Sequence, residues 1–292
     1  MINPGLVEQV KRLAIVGLFS DDTLLDRLVL KGGNLLDIVY GISTRASVDV
    51  DLSMDGEFAE SNEELRQRIE RALTSSFSDE GLRVFDVNLR AVPPNLSGEM
   101  TDFWGGYKID FKVIESAKYE QFRGNIDDLR RNSLSVGKRG STKFAIDISK
   151  YEYCNAKEML ELEGYTIFVY PPAMVVCEKL RAICQQMPEY VAMVKSHPSA
   201  RARDFVDIHV VAEHCPVTFS DEVFHDMMRK TFEIKRVPLK LLGEIQNYRD
   251  FHSQDFVSVR DTVKPGVELR EFDFYFDYVI DKCQELKSLW HE

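Results

Sequence analysis

Two aspartates separated by one residue, Asp49 and Asp51 in "SVDVDLS", are the strongest chemical signal in this chain. The stretch alternates with period two, so as a β-strand it presents both carboxylates on one face and Val48, Val50 and Leu52 on the other. Carboxylates held side by side repel unless a cation sits between them. A hard divalent ion is the natural occupant, because Mg²⁺ takes one or two protein carboxylates and completes its shell with water and phosphate oxygens. Two such ions about 3.5–4 Å apart clamp the attacking and leaving oxygens of a phosphoryl or nucleotidyl transfer. Upstream, Gly32 and Gly33 in "LKGGNLLD" fall between a short apolar run and a helix start, where a phosphate can approach backbone N–H groups.

The elements that must position these residues can be read from periodicity. Leu6, Val10, Leu13, Ala14, Gly17 and Leu18 recur at helical spacing, and a second helix restarts from the Asp21–Asp22 cap region. "LVL" at 28–30 is short and apolar, and "NLLDIVYG" places Leu35, Leu36, Val39 and Tyr40 on one face of a short helix ending at Gly41. Ser61 and Glu64 make a capping box for a helix carrying Leu65, Ile69, Ala72 and Leu73. Strands are expected at 82–92, 106–114 and 142–149, with helical "KYEQFRGNIDDLRRN" and a basic glycine-containing loop between the last two. From about residue 170 every long segment has helical spacing, and Pro171-Pro172 marks a hinge. The expected division is therefore 1–168 and 169–292, an α+β lobe with a small mixed sheet followed by a helical bundle.

Composition narrows the class. Hydrophobic residues at 44% and charged residues at 29% describe a folded globular chain. No run approaches the roughly 20 apolar residues that span a bilayer, so the expectation is a cytoplasmic protein without a membrane partner. Five cysteines without a CxxC pair argue against a disulfide framework, and six histidines lack metal-ligand spacing, leaving surface or helix-cap roles. The net charge of −11 argues against a protein that coats nucleic acid. One local basic run stands out: Arg123, Arg130, Arg131, Lys138, Arg139 and Lys143. The aromatic run at 272–279 reads as core packing of the last helix.

Taken together, "LKGGNLLDIVYG…RASVDVDLS", "AIDIS" at 145–149, "EKLRAI" at 178–183 and "RARDFVDI" at 201–208 resemble, in order, the AbiEii-type abortive-infection toxin nucleotidyltransferases, a branch of the DNA polymerase β-like superfamily. The resemblance implies a polymerase β-like fold and an enzyme using Mg²⁺ or Mn²⁺ to transfer a nucleoside monophosphate from an NTP, with pyrophosphate leaving. It assigns Lys31, Gly32, Gly33 and Ser47 to the nucleotide phosphates, Asp49, Asp51 and Asp147 to the metals and catalysis, Lys179 to both nucleotide and catalysis, and Asp204 to catalysis. It further implies a toxin–antitoxin or phage-defence setting, a cognate antitoxin and an RNA acceptor such as a tRNA 3′ end. Alternation alone leaves Asp110 in "YKIDFKV" a rival third carboxylate, and family order favours Asp147. Two other classes share these residues: an enzyme that nucleotidylates protein side chains, and a non-catalytic nucleotide-binding or partner-binding module.

Overall fold

The computed structural model describes residues 4–47, 49–94, 98–135 and 141–291. Val48, Lys138 and Arg139 lie outside the described residues. The chain divides into two compact units, one of Met1–Val39, Ser47–Tyr151 and Glu158–Val169, the other of Tyr40–Ala46, Glu152–Lys157 and Tyr170–Glu292.

The first unit runs α1 (Pro4–Phe19), α2 (Asp22–Arg27), β1 (Leu28–Lys31), α3 (Gly32–Asn34), β2 (Val50–Met54), α4 (Asn62–Ser78), β3 (Leu82–Val92), β4 (Gly106–Glu115), α5 (Ser116–Phe122), α6 (Ile126–Arg131), β5 (Phe144–Ser149), β6 (Glu158–Leu162) and β7 (Tyr165–Val169). Its seven strands form one mixed sheet in the order β3-β4-β5-β2-β1-β7-β6. Strand alternation separates two faces. Val50, Leu52, Ile146, Ile148, Ile109 and Phe111 are buried, and Phe111 meets Phe77 of α4 edge to face at 6.1 Å. α4 begins with the expected capping box, Ser61 and Glu64 each accepting from the other's backbone N–H. The opposite face is polar, and α5 and α6 cover only its far end, where Phe85, Ile114 and Leu129 make a small core with Tyr119 and Phe122.

Two local differences from the sequence reading have physical causes. The segment after α3 is a π-helical turn, Leu35–Val39, whose wider winding buries Ile38 with Leu35 and Leu36 and leaves Val39 and Tyr40 partly exposed. The β6–β7 hairpin turns at Glu163 and Gly164, both at positive φ. Its first strand is mostly exposed and lacks apolar alternation, so periodicity gives no sign of it.

The second unit is helical, as its spacing implies: α7 (Pro172–Cys184), α8 (Pro188–Val194), α9 (Ala202–His214), α10 (Glu222–Glu233), α11 (Leu241–Glu244), α12 (Arg249–Ser253), α13 (Phe256–Arg260) and α14 (Phe272–Glu285). Phe205 of α9 stacks on Phe276 at 5.2 Å and meets Phe272 edge-on at 5.4 Å, so Phe272, Tyr275 and Phe276 of the aromatic run are core, as expected, while Phe274 and Tyr278 are partly exposed. His252 departs from the surface role expected of the histidines. It is fully buried against Phe205, burial pushes it down to about 4, and its Nδ1 accepts from the Arg201 N–H. Among the described residues no helix is long and apolar enough to cross a membrane.

Candidate active site

The polar face of the first unit carries one ordered row. Register pairs Lys31 with Asp51 across β1 and β2, Asp51 with Asp147 across the parallel β2 and β5, Asp147 with Lys108 on β4, and Lys108 with Arg90 on β3. Directly paired residues share a face, so five charged side chains stand in line: Arg90, Lys108, Asp147, Asp51, Lys31. The two carboxylates sit at its centre with cations on both flanks. Lys108 Nζ lies 3.3 Å from Asp147 Oδ2, and Lys31 Nζ donates to Ser149 Oγ at 3.1 Å. Asp110 pairs with Ala145 instead, and its carboxylate binds Arg90, so register brings Asp147 and not Asp110 beside Asp51.

Gly32 shows how closely the first glycine is fitted to this row. Its φ is +70°, and a Cβ built there would lie 2.8 Å from both Cβ and Cγ of Asp51, and nearer still to Oδ2. Only glycine meets both demands. The chain turns at Gly32 from β1 into α3, which ends the β1–β2 ladder at Asp51. Asp49 consequently precedes β2 in an exposed bend instead of sharing a strand face with Asp51. Its carbonyl, beyond the end of the ladder, accepts from Asn34 Nδ2 at 2.6 Å. One residue pair further back, Lys11 Nζ of α1 donates to the Ser47 carbonyl at 3.0 Å and lies 3.5 Å from Asp37.

Sequence reasoning misses Asn34, Lys11 and Lys108. A signal for Lys108 exists, since "YKIDFKV" alternates and puts Lys108, Asp110 and Lys112 on one face. Asn34 and Lys11 give no local signal. Both are nearly fully buried polar groups whose partners lie 15 and 36 residues away.

The residues assigned from the later blocks lie in the second unit. Lys179 is 4% exposed, and its ammonium stands 3.0 Å from Asp204 Oδ1 and 2.7 Å from Asp207 Oδ2. Arg45, from the loop between the diglycine and Asp49, takes the same Asp207 with both Nε (3.2 Å) and Nη2 (2.7 Å). Burial alone would raise the Asp207 carboxyl, but Arg45 and Lys179 outweigh it and hold it well below the usual carboxylate range. The same two aspartates hold the Lys179 ammonium above its ordinary value despite burial.

The basic run is largely neutralised where it is described. Arg130 makes a two-pronged pair with Asp86, both distances 2.9 Å, Arg131 meets Asp128 at 2.5 Å, and Arg123 meets Glu120 at 3.5 Å.

Among the described residues no three His, Cys, Asp or Glu side chains converge as a ready metal cage. The donor set nevertheless fits Mg²⁺, which uses hard carboxylate oxygens, needs only one or two of them, and draws its remaining ligands from water and phosphate. Asp51 and Asp147, adjacent on one face, supply that pair.

Comparison with known proteins adds the family. A search of curated proteins finds no match. Among solved structures, a candidate nucleotidyltransferase from H. pylori shares 16% identity over 97% of this chain and 95% of its own, with a TM-score of 0.48. The JHP933 protein from Helicobacter pylori shares 15% over 99% and 95%, with a TM-score of 0.49. An antigenic nucleotidyltransferase-like protein from Paracoccidioides brasiliensis shares 12% over 90% and 96%, with a TM-score of 0.39. The model of the nucleotidyl transferase AbiEii toxin of type IV toxin–antitoxin systems matches residues 14–278, nearly the whole chain. The chain therefore belongs to the AbiEii toxin family and is a nucleotidyltransferase, with a nucleotide as substrate and a cognate antitoxin as its counterpart.

Proposed function

We propose that this toxin transfers a nucleoside monophosphate from an NTP to the terminal hydroxyl of an RNA acceptor, such as a tRNA 3′ end. The observation that carries the reading is the Asp51–Asp147 pair in parallel register, with Gly32 pressed against Asp51. Asp51, Asp147 and, from the adjoining bend, Asp49 would hold Mg²⁺ or Mn²⁺. When bound, the ion supplies charge neutralisation and Lewis-acid polarisation at the phosphate oxygens.

The chain's own residues do the rest by placement and charge. Gly32 and Gly33 open a backbone turn to the phosphate tail, with Lys31 and Ser47 at its edges. The acceptor oxygen forms a bond to the α-phosphorus while the bond from that phosphorus to the pyrophosphate oxygen breaks. Its proton passes to Asp147 or to water. Asn34 and Lys11 hold the backbone of Asp49 and Ser47 in place for this geometry. Lys179 and Asp204 enter as positioning residues, because the Lys179 charge is already met by two buried aspartates. In this reading the buried cluster of Lys179, Asp204 and Asp207 serves to fix the second unit.

The test is incubation of the protein with each α-labelled NTP, Mg²⁺, total RNA and total protein. Label entering the RNA fraction, and lost on chelation or with Asp51→Asn, is the expected result. Label entering protein favours a protein-modifying enzyme, and no metal-dependent label in either fraction points to a non-catalytic module.

A further inference from the structure

Beside the carboxylates on the polar face, β3, β4 and α6 enclose an open cavity of about 570 Å³. Arg90, Lys112, Arg130 and Lys143 line it, with Asp86 and Asp110. Four cations against two carboxylates make it a positive pocket on a chain whose net charge is −11. We propose that this pocket seats a phosphodiester of the acceptor strand, next to the nucleotide whose hydroxyl reacts. The inference deepens the nucleotidyl-transfer reading and rests on it.

The direction of attack places the acceptor on this side. In an in-line displacement the attacking oxygen and the departing pyrophosphate stand on opposite sides of the α-phosphorus. The diglycine turn lies at the β1 side of Asp51, so the phosphate tail occupies that side. The acceptor then comes from the β5 side, where sheet order places β4 and β3 next. Arg90 is two strands from Asp147, about 10 Å at the usual strand spacing, a reach suited to the backbone of a nucleotide whose terminal oxygen is at Asp147.

The arginines are also held ready for a phosphate. Asp86 sits at positive φ (+56°) at a break in the β3–β4 register between Phe85 and Asn88, and a break of this kind re-aims a side chain. From there it grips Arg130 through two nitrogens and lies 3.4 Å from Lys112. Arg130 and Lys112 hold the Asp86 carboxyl below the ordinary range, so the grip persists across physiological pH. Asp110 takes Arg90 through one nitrogen, Nη1. Each guanidinium has five N–H donors, and one carboxylate uses two at most. The arginines are thus oriented in advance with donors left for a phosphate, which lowers the ordering cost of binding. Arg90 and Arg130 are each about half exposed, open to a ligand. A protein hydroxyl as acceptor would bring no phosphate to this pocket.

The full-length protein can be tested with a 5′-fluorescein-labelled, mixed-sequence, single-stranded 12-mer RNA by anisotropy across a KCl series. Lys143→Glu alters an exposed lining residue, and the double variant Arg90→Gln with Asp110→Asn removes an ion pair without stranding a charge. Each is expected to weaken RNA binding about tenfold at moderate salt, with the salt slope falling by about 0.7 for each cation taken away from a phosphate. Arg123→Glu, on an exposed arginine outside the pocket, should leave both unchanged. Binding of Mg²⁺ with a non-hydrolysable NTP, measured on the same samples, should match wild type in all variants and establishes that they are folded. RNA affinity and slope unchanged in both pocket variants would overturn the proposal, as would equal weakening by Arg123→Glu or transfer to protein alone. A wild type that binds no Mg²⁺–NTP would instead remove the nucleotidyl-transfer reading, and the pocket's role with it.

Discussion

Replacing Gly32 by alanine separates backbone strain from damage to the carboxylate row. At φ +70° an alanine pays roughly 1–2 kcal/mol for left-handed backbone. In a protein of this size each kcal/mol lowers the melting temperature by about 2–4 °C. The new methyl also falls about 0.6 Å short of ordinary van der Waals separation from Asp51 Cβ and Cγ, and shorter still to Oδ2, so the carboxylate must swing away; misplacement on the order of 1 Å costs about a hundredfold in rate. Gly56 supplies the control. Its φ is +73°, yet nothing lies within 4 Å of a Cβ there, so Gly56→Ala carries the strain without the clash. Both variants should melt a few degrees lower. Only Gly32→Ala should lose about a hundredfold in kcat, read as pyrophosphate release per enzyme at saturating NTP. Equal activity in the two variants would refute the claim that Gly32 is there to admit Asp51.

Other outcomes follow from single interactions. Asn34→Ala removes the amide donor to the Asp49 carbonyl and should weaken Mn²⁺ binding several-fold in an NTP-bound titration, with Asn34→Asp unable to restore it because the donor is gone. Lys179→Met leaves two buried aspartates to Arg45 and Arg201 and should destabilise the protein by about 3–5 kcal/mol, read from the urea midpoint. Because the folded Asp207 carboxyl is depressed, its contribution to stability is complete above the unfolded value of about 3.9 and drains away as pH falls below it; Asp207→Asn should flatten that acid limb of the urea midpoint.

What can be read from sequence here is local. Period-two alternation exposes Asp51 and Asp147 on strands, and a diglycine before an apolar helical run marks a turn, because both properties belong to neighbouring residues. The end of a strand does not. β2 starts at Val50 and not earlier because β1 stops at Gly32, a fact written in another segment. The same holds for the ion pairs. Asp204 and Asp207 at helical spacing read equally well as an N-terminal charge cluster, and what makes them a buried network is Lys179 and an Arg45 that lies 162 residues before Asp207. The basic run shows the opposite failure: its arginines look available in sequence, but Asp86, 44 residues before Arg130, already holds one of them.

Mn²⁺ binding in the presence of a non-hydrolysable NTP, followed by electron paramagnetic resonance, tests the Asp51–Asp147 pair most directly, using wild type, Asp51→Asn, Asp147→Asn and Asp110→Asn. The expected result is binding by wild type and Asp110→Asn and its loss in the other two, since only Asp51 and Asp147 share a register position on one face. Retention of the ion by Asp147→Asn together with its loss in Asp110→Asn would place the metal one strand away and contradict the site described above.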